Sequence, residues 1–319
     1  MKRKKTCLVT GGAGFIGSHI AEALAKRHYK VRVLDNLSTG FLSNLKNIKE
    51  NVEFIKGDLR SDKDVRKSVR GVDTVFHLAA NRAVLRSVDN PFETNEVNVT
   101  GTMRLLVAAR AAKVRRFVFT SSSSVYGNTK KFPCEETDRP MPQSPYAASK
   151  IIGEYYTQMF WTLYGMETVC LRYFNVFGPR QNPESRYSAV IPIFIDCLLK
   201  NKNPEIHWDG KQSRDFSYVD NVVHGNLLAM TKPGIAGEVF NIACHEEYSI
   251  LDILNGLKKI MKAKEVHPRF SPKRAGDVRR TYASISKAKK LLNFKVQTRF
   301  YEGLENTVEW FLVGRKKPR

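Results

Sequence analysis

Short apolar runs alternate with amphipathic stretches through the first half of the chain. The runs at 6–10, 30–35, 52–56, 73–78 and 116–120 have strand length and are rich in Val, Leu, Ile and Phe. Helical periodicity fills several of the gaps between them, at 15–27, 63–69 and 98–112. A further helix surrounds Tyr146, and another apolar run follows at 167–172. Strand–helix alternation with strands this apolar predicts a parallel sheet covered by helices on both faces, a doubly wound α/β fold. After Asn175 the rhythm changes. Pro179, Pro183, Pro204 and Pro233 interrupt it, and helices are expected at 189–199, 219–229, 250–261 and 301–311, with small strands at 206–208 and 239–242. The expected division is therefore residues 1–175 as one domain and 176–319 as a smaller, mixed α/β lobe packed closely against it.

The joints between these elements carry candidate chemistry. Thr10-Gly11-Gly12-Ala13-Gly14-Phe15-Ile16-Gly17 ends the first strand and opens the first helix. Glycines there allow a tight turn and bring a pyrophosphate close to the helix N-terminus, as in a Rossmann-type dinucleotide site. Asp35 ends the second strand, where a carboxylate accepts from the adenosine ribose hydroxyls and repels a 2′-phosphate, favouring NAD over NADP. Gly57-Asp58-Leu59 follows the third strand and is a candidate adenine contact. The fifth strand runs into Ser121-Ser122-Ser123-Ser124, at the sheet edge where doubly wound folds place ligands. Ser144 as N-cap and Pro145 at the first helical position mark the start of the next helix. Tyr146 then lies in its first turn and Lys150 four residues on, on the same face. A phenol is a poor base at neutral pH, and a nearby ammonium lowers its pKa. The pair is thus a candidate proton-transfer device, although Tyr and Lys at this spacing also occur on many solvated helix faces.

Composition adjusts this picture only slightly. The 319 residues, 42% of them hydrophobic, suffice for a sizeable core. The apolar stretch after the basic start is too short for a signal-peptide core, and no run reaches membrane-helix length. The five cysteines are scattered without C-x-x-C, and the seven histidines lack metal-ligand spacing. A cytoplasmic protein with free thiols and no metal is expected. Lys and Arg total 53 against 31 Asp and Glu, a net charge of +22, which attracts polyanions. A phosphorylated small molecule and a nucleic acid both answer to that field.

Taken together, these motifs resemble the extended short-chain dehydrogenase/reductase family, in its group of NAD-dependent sugar-nucleotide epimerases and dehydratases. The resemblance covers nearly the whole chain. It rests on the Gly11–Gly17 turn, Asp35-Asn36, Gly57-Asp58-Leu59, His77-Leu78-Ala79-Ala80, Asn98-Val99-Thr100-Gly101-Thr102, the Ser run, Tyr146 with Lys150, and Arg172-Tyr173-Phe174-Asn175-Val176-Phe177-Gly178. It implies Tyr146 as catalytic base, Lys150 as its partner and Ser122 as a hydrogen-bonding helper. It implies tightly held NAD, contacted by Gly11, Gly14, Phe15, Ile16, Gly17, Asp35, Asn36, Asp58, Leu59, Leu78, Ala79, Ala80, Asn98, Tyr146 and Lys150. For a UDP-sugar it implies contacts from Val84, Ser122, Ser123, Tyr146, Asn175, Ala189, Val190, Arg214, Arg274, Asp277 and Thr281. A homodimer, paired through helices near 98–111 and 151–163, is also implied.

Three reactions share this frame: C4 epimerisation, 4,6-dehydration and C5 decarboxylation. Dehydratases resembling this chain carry Thr-Asp-Glu where it has Ser122-Ser123-Ser124, and decarboxylases keep the Glu. Seryl hydroxyls supply no ionisable pair at neutral pH, which leaves epimerisation as the expected reaction. In the family, the position of Thr281 gates the N-acetyl pocket. A small residue there implies that UDP-N-acetylhexosamines enter alongside UDP-glucose and UDP-galactose. A dehydratase or reductase on the same Tyr/Lys pair is the alternative within enzymes. A nucleic-acid-binding protein on this fold is the alternative from another class, and the intact Ser122, Tyr146 and Lys150 argue against it.

Overall fold

The computed structural model describes residues 4–82, 84–182, 190–263, 265–273 and 278–315. A seven-stranded, all-parallel sheet forms its centre. Six strands come in chain order: β1 (Thr6–Thr10), β2 (Lys30–Asp35), β3 (Val52–Lys56), β4 (Thr74–His77), β5 (Arg116–Ser122) and β6 (Glu167–Tyr173). The seventh, Val239–Ile242, lies at the edge beside β6. Across the sheet the order is the edge strand, β6, β5, β4, β1, β2, β3. The chain builds β1, β2 and β3 in one direction, then crosses back to place β4 on the other side of β1. That reversal opens a crevice beyond the carboxyl ends of β1 and β4, where doubly wound sheets bind ligands. Leu8, Val9, Val33, Val75, Phe76, Phe117 and Val169 are almost fully buried in the layers above and below the sheet, as expected of strands covered on both faces.

Most expected boundaries hold, and the departures have local causes. β5 runs two residues further than the apolar run because Ser121 and Ser122 continue to pair with Arg172 and Tyr173 of β6. The ladder satisfies their backbone groups, so the strand does not need apolar side chains there. The helix expected at 98–112 starts instead with a π-helical turn, Glu96–Thr100, before the regular helix Gly101–Ala111. The extra residue turns Asn98 inward, where its carbonyl accepts from Asn81 N (2.7 Å) and its amide donates to Asn81 O (3.1 Å) and Ser149 Oγ (3.0 Å).

The boundary at 175 does not divide the packing. Both the edge strand Val239–Ile242 and the helix Val219–Thr231, which packs on the first helix, come from beyond it. Within the second half, Phe216, Tyr218 and Phe300 meet Phe177 edge to face at ring separations of 5.5–6.3 Å. The remaining strands of that half are short. Ser213–Arg214 sits between Tyr248–Ser249 and Arg280–Thr281 and forms the floor of the second lobe.

Candidate active site

One large cleft, of about 640 Å³, follows the carboxyl edge of the sheet from the Gly11 turn to Arg214 and Thr281. Its first wall is the turn after β1. Gly14 caps the helix Phe15–Lys26 without a side chain, and no acidic residue occupies the first turn. The exposed N–H groups and the positive end of the helix dipole are left for an anion. Gly11 has φ +68°, and a Cβ on it would stand 2.9 Å from Ala79 N. A Cβ on Gly17 would stand 2.2 Å from Gly11 O. The turn is therefore packed backbone to backbone behind and open in front.

Asp35 closes this wall. One carboxylate oxygen accepts from Ala13 N (2.9 Å) and the other from Leu37 N (2.8 Å), which fixes the group at the cleft. Burial raises its pKa against the pull of those two N–H groups. Asn36 donates to Asp58 (2.9 Å), and Arg60 grips the same carboxylate through Nε (3.0 Å) and a terminal nitrogen (2.8 Å). That hydrogen-bonded guanidinium holds Asp58 well below the usual carboxylate range. Leu59, Leu78, Ala79 and Ala80 complete the lining here. Behind them His77 bridges Thr10 Oγ1 (2.8 Å) and Thr102 Oγ1 (2.9 Å), and burial keeps its pKa down at about 3, so the bridge is a neutral imidazole. A capless helix N-terminus, a backbone cradle without Cβ atoms and a fixed carboxylate beyond it suit a dinucleotide. Of the residues expected to touch it, Asn98 alone stands behind the wall, its side chain spent on Asn81 and Ser149.

Ser144 caps the next helix, Pro145–Tyr164, by accepting from Ala147 N (3.2 Å). This sets Tyr146 at the cleft edge beside Ser122, which hydrogen-bonds with the phenol. Lys150 lies one turn deeper. Its ammonium donates to Thr120 O (2.9 Å) and stands 5.8 Å from the Tyr146 ring. Burial pushes its pKa down to about 8, partly opposed by Glu154. Burial also raises the phenol of Tyr146, and the groups opposing that rise are Ser122 and Arg82. The bond to Thr120 O thus fixes the ammonium one turn below the phenol that the family resemblance pairs it with. Below the pair, Arg172 forks onto Glu154 (2.9 and 2.7 Å) and reaches Tyr126 (2.8 Å), and Ser121 donates to the same carboxylate. This buried network ties the Tyr146 helix to β5 and β6. Ser123 and Ser124 line the cleft next to Ser122, and among the described residues none hydrogen-bonds to the buried Ser124 Oγ.

At the far end Asn175 bends the chain out of β6 with φ +29°. Its amide donates to Asp215 O (2.9 Å) and Thr281 Oγ1 (3.1 Å). Thr281 pairs with Arg214 across two strands, so Asn175, Arg214 and Thr281 share one wall, and Val84 lies across the cleft in its lining. Val190 begins the helix Val190–Leu199 and packs against the core, away from the cleft lining. Ala189, Arg274 and Asp277 lie outside the described residues. The cleft also contains residues that the motifs did not single out as site groups, chiefly Arg82, Thr120 and Tyr173. Tyr173 takes a hydrogen bond from Thr120 (3.1 Å) and is held from behind by Asn226 (2.7 Å), supporting the strand end that holds Lys150.

A doubly wound sheet, a dinucleotide cradle and a Ser/Tyr/Lys cluster at one cleft define an NAD-binding enzyme that moves a hydride and a proton. The comparisons with known proteins specify which. The NAD dependent epimerase/dehydratase family model matches residues 7–243. The UDP-glucose 4-epimerase of Mycolicibacterium smegmatis is 38% identical over 309 residues, covering 95% of this chain and 97% of that protein. Two solved structures superpose closely. One is a UDP-N-acetylglucosamine 4-epimerase from Methanobrevibacter ruminantium in complex with UDP-N-acetylmuramic acid (TM-score 0.93, 39% identity, 98% of this chain and 99% of that one). The other is a UDP-glucose 4-epimerase from Thermotoga maritima with UDP-glucose (TM-score 0.93, 37% identity, 97% and 99%). The chain belongs to the NAD-dependent epimerase/dehydratase family.

Proposed function

We propose that this protein is a UDP-sugar 4-epimerase that interconverts UDP-glucose with UDP-galactose, and UDP-N-acetylglucosamine with its C4 epimer. The observation that carries the reading is the pairing of a complete Ser122/Tyr146/Lys150 cluster with serines at 123 and 124, where elimination would need ionisable groups. NAD⁺, which the Gly11–Gly17 turn and Asp35 would hold, would supply the acceptor for the C4 hydride and, once reduced, its donor. Tyr146 removes the proton from the C4 hydroxyl and gives it back. Ser122 holds the C4 oxygen to the phenol, and Lys150, fixed by Thr120 O, keeps a positive charge in the site. The 4-keto sugar turns within the cleft and is reduced on its other face, so no net redox occurs.

The family resemblance and the cleft support a division of labour at 175, with residues 1–175 binding NAD and 176–319 the nucleotide sugar, although the sheet itself crosses that point. Arg214 and Asn175 suit the diphosphate, and the small side chain of Thr281 suits an N-acetyl group. A homodimer fits the exposed stripe Tyr155, Met159 and Leu163 on the Tyr146 helix, beside exposed Val107 on the helix Gly101–Ala111. Arg110 over the Tyr164 ring (3.9 Å) joins those two helices into one face. Cytoplasmic location is part of the same reading; among the described residues no helix is long and apolar enough to cross a membrane.

Incubation with a panel of UDP-sugars, followed by NMR of the products, tests the assignment. A mixture of C4 epimers is expected. A keto or deoxy sugar would establish dehydration instead.

A further inference from the structure

Asp215 is the most deeply buried carboxylate among the described residues, 0% exposed. It joins two short strands: Ser213–Arg214, which pairs with Arg280–Thr281, and Ser217–Tyr218, which pairs with Val176–Phe177. Its side chain is held by backbone N–H groups rather than by a cation. One oxygen accepts from Cys244 N (2.9 Å), the other from His245 N (3.1 Å) and Ala283 N (3.4 Å). Its backbone faces the cleft wall instead. Asp215 N donates to Thr281 O (2.8 Å), and Asp215 O accepts from the Asn175 amide (2.9 Å), which also reaches Thr281 Oγ1 (3.1 Å). One residue thus gathers three segments that end at the cleft: the end of β6, the residues after the edge strand, and the strand Arg280–Thr281.

Hydrogen bonds from N–H groups to an ionised oxygen are the strong ones. Neutralising the carboxyl, by a proton or by replacement with an amide, turns one acceptor into a donor that faces N–H groups already aimed at it. The disturbance passes through the shared backbone to Asn175, Arg214 and Thr281. We propose that Asp215 is a positioning residue for the substrate: its ionised carboxylate holds Asn175, Arg214 and Thr281 in the arrangement that receives the nucleotide diphosphate and the sugar. It touches neither the ligand nor C4, so its loss weakens binding and leaves the chemistry at Tyr146 intact. Burial pushes its pKa up to about 7, against the three N–H groups and with Glu246 adding to the rise. The titratable groups around it are Cys244, His245 and Glu246 after the edge strand and Tyr282 next to Thr281, with Arg214 on its own strand. The proposal rests on the reading of this cleft as a UDP-sugar site.

The test uses the full-length enzyme with its NAD, UDP-glucose as substrate, and the variant Asp215→Asn, which keeps the shape and removes the charge. At about pH 8 the variant's KM should rise about 10-fold, the scale of one charge-assisted hydrogen bond, while kcat and NAD content stay near wild type. In wild type the same loss should appear on acidification, because the carboxylate is ionised above its pKa and neutral below it. KM should rise about 5-fold from about pH 8 to about pH 6. In Asp215→Asn that rise should vanish. Lys150 and His245 are present in both proteins, so the comparison isolates Asp215. A variant whose KM is unchanged, or whose loss lies in kcat, overturns the proposal, as does an acid rise that persists in the variant. A flat wild-type KM between the two pH values also overturns it, and that result needs no variant to fold. If UDP-glucose is not turned over, the same comparison is read as Kd by calorimetry. Binding that follows the predicted pattern without turnover overturns the epimerase reading and supports this proposal; absence of binding overturns both.

Discussion

Tyr146 and Lys150 share a helix face, but the protein uses them through different neighbours. The phenol is set against Ser122 and Arg82, and the ammonium against Thr120 O. Replacing Tyr146 with Phe removes the proton-transfer group while leaving the ring in place. Turnover should fall about 10²- to 10⁴-fold, with NAD content and melting temperature close to wild type. The pKa of Lys150, lowered by burial from 10.5 to about 8, gives a pH signature. In the free enzyme kcat/KM should decline as pH rises through about 8, where the site loses its positive charge. For stability the sign is opposite. Between about 8 and 10.5 the unfolded chain still holds the Lys150 proton that the folded chain has shed, so this group makes folding more favourable as pH rises across that window. At the other end of the cleft, Thr281→Tyr should abolish turnover of UDP-N-acetylglucosamine and spare UDP-glucose, measured as kcat/KM for each; equal loss of both would refute the pocket assignment. The motif residues were legible in the sequence because each has a fixed offset from a strand end or a helix cap. Arg82 and Thr120 were not, because their roles arise from residues distant in sequence. Asn98 was recognised as a motif member, but its bonds to Asn81 and Ser149 were not legible, since a π-helical turn cannot be seen in hydrophobic periodicity.

At the scale of elements, the site is held by the way its helices start. The helix Phe15–Lys26 begins at a glycine and leaves its N-terminus free for a ligand, whereas Pro145–Tyr164 begins with a side-chain cap that fixes Tyr146. Ser144→Ala removes that cap and should cost about 1 kcal/mol, seen as a lower denaturation midpoint. Activity should drop more than stability alone accounts for, because Tyr146 sits in the turn that the cap orders. A loss of stability with activity per folded molecule unchanged would mean that the cap plays no part in placing the phenol. These start signals, Ser-Pro in one case and a Gly-rich turn in the other, are local chemistry and could be read directly. The two extra residues of β5 were not legible, because their strand character comes from pairing with β6 and not from their own side chains.

At the scale of the molecule, the sheet order places the cradle and the Tyr146 helix at one crevice, and the strand–helix rhythm was enough to predict the doubly wound class. The rhythm could not show that Val239–Ile242 completes the sheet from within the second lobe, because its pairing of Val239 with Cys170 and Ile242 with Tyr173 spans the helices and loops between them. The face carrying Tyr155, Met159 and Leu163 leads to a prediction at this scale: Met159→Glu should shift the protein from dimer to monomer in light scattering. A wild-type protein already monomeric would remove the dimer from the account. The central claim, that C4 is oxidised and reduced again within one site, is tested most directly with UDP-glucose deuterated at C4. Incubated with the purified enzyme and its own bound NAD, it should yield UDP-galactose that keeps the deuterium at C4, with many turnovers per enzyme. Deuterium lost to solvent, or product limited to one equivalent of NAD consumed, would contradict the account.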